Sequence, residues 1–122
     1  MCGFAGVLGG SQRINKEALK LMTDRVIHRG PDSSGQWFDE KDNIFLGHRR
    51  LSILDVSSRG SQPMSSQNGR YILAFNGEIY NHLEIRKSLE KNINIKWTGS
   101  SDTETLVMSF QILGIQNTIR AA

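Results

Sequence analysis

The only cysteine in this 122-residue chain is Cys2, directly behind Met1. A lone cysteine is usually a small buried apolar residue, and a chain end is poorly ordered unless something ties it down. The position does have a chemical use. If Met1 is removed, Cys2 becomes the first residue and carries its thiol beside a free α-amino group. The thiolate is the reactive form, and a free thiol has a pKa of about 8.5. An α-amino group titrates at about 7.7–8.0. It is therefore partly neutral at physiological pH and can take the thiol proton, directly or through one water. An N-terminal residue served by its own amine is a known nucleophile design that needs no histidine. His28, His48 and His82 each lie beside turn or strand signals, with no Asp or Glu at a telling offset, so a Cys–His dyad is the less favoured arrangement.

Attack on a carbonyl also needs donors aimed at the developing oxyanion. Asn76-Gly77 offers a side-chain amide and a backbone N–H at a tight turn. Taken alone, the dipeptide reads first as an ordinary hairpin or strand-to-helix turn. Arg49-Arg50 supplies guanidinium groups able to grip a carboxylate through two parallel hydrogen bonds, although two exposed charges are the plainer account of the pair. Asp102 opens a helical pattern, where the helix dipole favours a carboxylate. It could instead bind an ammonium. A nucleophile, an arginine and an aspartate together suit an amino-acid substrate.

These residues need elements to position them. Gly3–Leu8 (GFAGVL) reads as a short apolar strand that stops at Gly9-Gly10 and anchors Cys2 at its head. Asn15 caps a predicted helix from about Lys16 to Ile27, with Ala18, Leu19, Met22 and Val26 on one face. HRGPDSSGQW has the composition of a loop. Ile44–His48 and Tyr71–Phe75 are continuous apolar runs that fit strands covered on both faces, separated by a polar loop over Asp55–Asn68. Asn81 with Glu84, and Ser101 with Glu104, have capping-box spacing. The first would open a helix to about Lys91. The second would open one carrying Thr103, Leu106, Val107, Phe110 and Leu113. The order implies a layered domain of strands and helices. The final GIQNTIRAA leaves the last helix without a partner, as expected of an incomplete domain.

Composition narrows the class. With 38% hydrophobic and 22% charged residues, the chain is long enough and apolar enough for one modest core. The net charge of +3 comes from scattered residues rather than a run, which argues against nucleic-acid binding. One cysteine excludes an internal disulfide, and no Cys/His spacing fits zinc. There is no signal-peptide pattern and no apolar run of membrane-spanning length, so the expected setting is cytoplasmic.

MCGFAG, HRGPDSSG, GHRRLSILD, SQPM, FNGEIYN and TGSSDTE occur in this order from Met1 to about Val107. As a set they resemble the class II glutamine amidotransferases, which are N-terminal nucleophile hydrolases. The resemblance is nearest to the glutaminase domain of glutamine-hydrolysing asparagine synthetases. It implies an α+β fold, a four-layer αββα sandwich incomplete here at its C-terminus, with residues 1–122 as the N-terminal part of a glutaminase domain and no synthetase domain.

The resemblance also implies roles. Cys2 would attack the glutamine side-chain amide, and Asn76 with Gly77 would form the oxyanion hole. Arg50, rather than Arg49, would hold the substrate carboxylate. Leu51, Ser52, Ile53 and Leu54 would line the pocket, and Glu78 and Asp102 would meet the substrate ammonium. The glutamine step would need no cofactor; ATP and Mg would belong to a synthetase domain or subunit, which is the implied partner together with glutamine. A homodimer is compatible with this pattern, and neither nucleic acid nor a membrane is implied. Two other accounts stay open: a truncated, non-catalytic module, and a glutaminase serving an acceptor other than aspartate. A redox thiol protein is disfavoured because there is no resolving cysteine.

Overall fold

In the computed structural model, which describes residues 2–9, 15–53, 55–91 and 93–122, the apolar run after Asn43 becomes the middle strand of a three-stranded sheet. Strands β1 (Gly3–Leu8), β2 (Ser33–Asp39) and β3 (Ile44–Arg50) are ordered β1-β3-β2. Both pairings are antiparallel. Gly3 lies opposite Arg49 and Leu8 opposite Ile44 in one ladder, and Ser33 opposite Arg50 and Asp39 opposite Ile44 in the other.

The two faces of β3 are packed differently, because successive side chains leave a strand on opposite sides. Gly3, Gly47 and Arg49 share the face covered by helix α1 (Lys16–Asp24), whose buried residues are Leu19 and Thr23. A Cβ on Gly47 would stand 2.0 Å from Thr23 Oγ1, so only glycine admits the helix this closely. Phe38 and Phe45, cross-strand neighbours on this face, meet edge to face with ring centroids 5.6 Å apart. On the opposite face, Gly35 lies across from His48. A Cβ there would be 2.0 Å from the Gln62 carbonyl oxygen. Residues 61–63 and 74–77 complete this unit together with Met1–Ser52. The expectation of a strand covered on both faces therefore holds for β3.

The Asn15 cap is as expected, its Oδ1 accepting from Ala18 N–H at 2.8 Å. Helix α1 stops at Asp24 rather than Ile27, and Ile27–Arg29 form a 3-10 turn. Gly30-Pro31 beyond it disfavours a longer α-helix. The HRGPDSSGQW segment is not all loop: its second half is β2. Ladder bonds to β3 and alternating exposure over residues 33–36 override a composition of Ser and Gly.

The second unit comprises Ile53–Gly60, Met64–Leu73 and Glu78–Ala122. It holds a short antiparallel pair, β4 (Met64–Ser65) and β5 (Ile72–Leu73), and helices α2 (His82–Glu90), α3 (Asp102–Leu113) and α4 (Ile115–Ala121). Of the expected Tyr71–Phe75 strand only two residues are paired, and the expected loop 55–68 contains β4 and a 3-10 turn at Ser58–Gly60. Ile85 and Leu89 of α2 and Leu106, Val107 and Met108 of α3 are buried. Ser101 caps α3 as expected, its hydroxyl accepting from Glu104 N–H at 3.2 Å. Asn81 does not cap α2 with its side chain; its Nδ2 donates instead to the Ala121 carbonyl at 2.8 Å.

The α+β class is borne out. Among the described residues, the sheet of the first unit is antiparallel, the second unit adds a two-stranded ladder, and neither sheet is closed. Among the described residues no helix is long and apolar enough to cross a membrane.

Candidate functional site

Cys2 sits one residue before β1 and is half-buried. Its Sγ lies 3.3 Å from Leu51 N and 3.6 Å from Leu51 O, so the thiol is held where β3 ends. Arg29 Nε donates to the Cys2 carbonyl at 3.0 Å. The chain end is thus fixed through side chain and backbone, which meets the fraying objection to a nucleophile at position 2. Residue 1 lies outside the described residues.

Register separates the two arginines. Gly3 pairs with Arg49, and continuing the ladder by one residue sets Cys2 opposite Arg50. Cross-strand neighbours share a face, so Cys2 and Arg50 lie on the face that α1 does not cover. Arg50 is 7% exposed. Arg49 points the other way and pairs with Asp24 of α1. Lys20 first, and Arg49 second, hold the Asp24 carboxyl below the usual carboxylate range. Sequence alone cannot show this difference between adjacent identical residues.

Leu51 and Ser52 follow β3 directly. Asp32 fixes their path: its N–H donates to the Arg50 carbonyl at 3.0 Å and its Oδ2 accepts from Ser52 N–H at 2.8 Å. The HRGPD segment therefore positions the Cys2 backbone through Arg29 and the post-β3 loop through Asp32.

Asn76 is half-buried and Gly77 exposed. They follow Phe75, whose backbone is bonded on both sides. Gln62 Oε1 accepts from Phe75 N–H at 2.6 Å, and His48 Nε2 lies 3.1 Å from the Phe75 carbonyl oxygen. Burial pushes the His48 imidazole below its ordinary value, and nearby Arg50 adds to this. In the sequence, His48 offers itself only as a partner for a cysteine, and Gln62 carries no assigned chemistry. The available signal was the i, i+2 spacing of His48 and Arg50 at the end of an apolar run.

The remaining candidates belong to the second unit. Ile53 is 70% exposed and Glu78 is exposed. Leu54 lies outside the described residues. Asp102 is buried at the start of α3, with Oδ2 accepting from Ile79 N–H at 2.9 Å and Oδ1 from Thr103 N–H at 2.8 Å. It ties the segment after Glu78 to the helix start, and a carboxylate so bonded retains further acceptor capacity. The TGSSDTE segment is a framework around Glu104, which accepts from Thr98 and Gly99 N–H. Arg86 donates to the Gly99 and Ser101 carbonyls and stacks over Trp97 at 4.0 Å. Among the described residues no cluster of His, Cys, Asp or Glu could hold a metal ion.

A family model described as a glutamine amidotransferase domain matches residues 1–122. An asparagine synthetase [glutamine-hydrolyzing] 1 of Bacillus subtilis is 41% identical over 115 residues, covering 91% of this chain and 18% of the relative. Asparagine synthetase B [glutamine-hydrolyzing] of Escherichia coli is 38% identical over 117 residues, or 93% of this chain and 20% of the relative. A Gibberella zeae protein named Amidase chry2 is 35% identical over 109 residues, or 89% and 16%. The chain thus spans a fifth or less of the length of these curated relatives.

Proposed function

This chain belongs to the glutamine amidotransferase domain family, and from that premise we propose that it hydrolyses glutamine with Cys2 as the nucleophile. The observation that carries this reading is the placement of a tethered, half-buried thiol at the head of β1, beside buried Arg50 on one sheet face. A thiolate here attacks the side-chain carbonyl carbon of glutamine. The tetrahedral oxyanion is received by the Asn76 amide and the Gly77 N–H. Collapse expels ammonia, with the proton taken from the thiol passing to the leaving nitrogen. Water then cleaves the glutamyl thioester to glutamate and regenerates the thiol. The α-amino group freed by loss of Met1 is the base.

Arg50 grips the substrate α-carboxylate, the backbone of Leu51, Ser52, Ile53 and Leu54 lines the pocket, and Glu78 with Asp102 receives the ammonium. The step uses no cofactor. We read residues 1–122 as the N-terminal part of a four-layer αββα glutaminase domain, acting in the cytoplasm beside an ATP- and Mg-using synthetase domain or subunit. The acceptor is aspartate, a choice supported by relatives named as glutamine-hydrolysing asparagine synthetases.

Measuring glutamate and ammonia formed from glutamine tests the reading. The chain is expected to release both and Cys2→Ala to release neither. Equal release by the two contradicts the proposal.

A further inference from the structure

Phe75 is the residue before Asn76-Gly77, and both of its backbone polar groups are engaged by buried side chains. His48 is fully buried and Gln62 is 7% exposed. A carbonyl oxygen can only accept, so the contact between His48 Nε2 and Phe75 O requires the proton on Nε2. Nδ1 then carries the lone pair. It is buried without a hydrogen-bond partner among the described residues, so a second proton there would be an unsatisfied buried donor. The imidazole is fixed as one neutral tautomer. Gln62 in turn is set by the close approach of its carbonyl to Gly35, the β2 residue opposite His48.

We propose that His48 and Gln62 are positioning residues that clamp the Phe75 peptide and thereby aim the Asn76-Gly77 donors. The inference rests on the glutaminase reading. An oxyanion hole works only if its donors stand in place before charge develops, and loss of one donor costs about 10²–10³-fold in kcat. Loosening the peptide that leads into the donors should cost less than deleting one, and should act on kcat rather than on substrate binding. The two clamping groups come from separate segments, the end of β3 and the SQPM stretch, and both act on one peptide unit.

The test combines kinetics with measurements that do not depend on turnover. Imidazole nitrogen shifts in the ¹⁵N-labelled unmutated chain are expected to show a neutral ring with its proton on Nε2 at pH 7. The Phe75 amide is expected to exchange slowly with solvent, and about tenfold or more faster in Gln62→Met. Both His48→Met and Gln62→Met are expected to lower kcat for glutamine by about 10- to 100-fold, with KM within about threefold. His48→Gln keeps a donor at the Nε2 position and should return kcat to within about threefold of the parent. A proton on Nδ1, unchanged Phe75 exchange in Gln62→Met, or a His48→Gln as impaired as His48→Met overturns the clamp. An unmutated chain that releases no ammonia contradicts the glutaminase reading instead, and the tautomer and exchange rate still decide the clamp. If His48→Met does not fold, the ring tautomer of the unmutated chain and Gln62→Met supply the decision.

Discussion

The two faces of β3 make different uses of adjacent residues. The face toward α1 is a packing surface: Thr23 over Gly47, the Phe38–Phe45 ring pair, and Arg49 tied to Asp24. The other face carries Arg50 and His48, with Cys2 in register beside Arg50. Strand geometry alone divides the roles, since a shift of one residue moves a side chain to the opposite face. A one-residue slip of β3 would exchange Arg49 for Arg50. The double ladder to β1 and β2 therefore fixes which face each of these side chains takes.

Exchanging chemistry across this boundary gives the largest expected effect. Arg50→Lys should raise KM for glutamine about 10- to 100-fold, because a lysine point charge cannot reproduce a bidentate fork worth roughly 1.5–3 kcal/mol per charged bond. Arg49→Lys should leave KM within about twofold. Equal effects would mean that the faces do not divide recognition from packing.

Thr23→Val probes the packing face. It removes a buried hydroxyl that donates to the Leu19 carbonyl at 2.7 Å. We expect a loss of about 1 kcal/mol in urea unfolding, with glutamine turnover unchanged. A fall in turnover at unchanged stability would show the faces to be coupled.

The smallest effect is a pH slope. The His48 imidazole titrates below its ordinary 6.5 when folded, chiefly through burial. The unfolded chain therefore binds the extra proton first. Stability from this group is complete above about pH 6.5 and declines as pH falls through that value toward the folded one. His48→Gln should flatten the stability curve in that range relative to the parent. Identical slopes would show that the ring is not held neutral by folding.

Much of this division was legible in the sequence, but not all. β1, the Asn15 cap of α1, β3 and the Ser101 cap were readable because each rests on local patterning or a side chain bonding its own backbone. β2 was not, because its Ser and Gly residues are held by the neighbouring strand rather than by their own propensity. Asn81 has capping-box spacing, yet its amide bonds Ala121, 40 positions away. Cys2 and Arg50 were found as chemistry-bearing types. The functions of Arg29, Asp32, His48 and Gln62 depend on backbone groups brought close by the register, and no spacing rule marks those.

The most direct test is the intact mass of the purified chain before and after exposure to a glutamine-shaped electrophile that carries an α-carboxylate. The account predicts loss of Met1 and one stoichiometric adduct on Cys2, formed much more slowly in Arg50→Lys and at the parental rate in Arg49→Lys. A folded chain that has lost Met1 but gains no adduct, or one labelled equally fast by an analogue without the carboxylate, would contradict it.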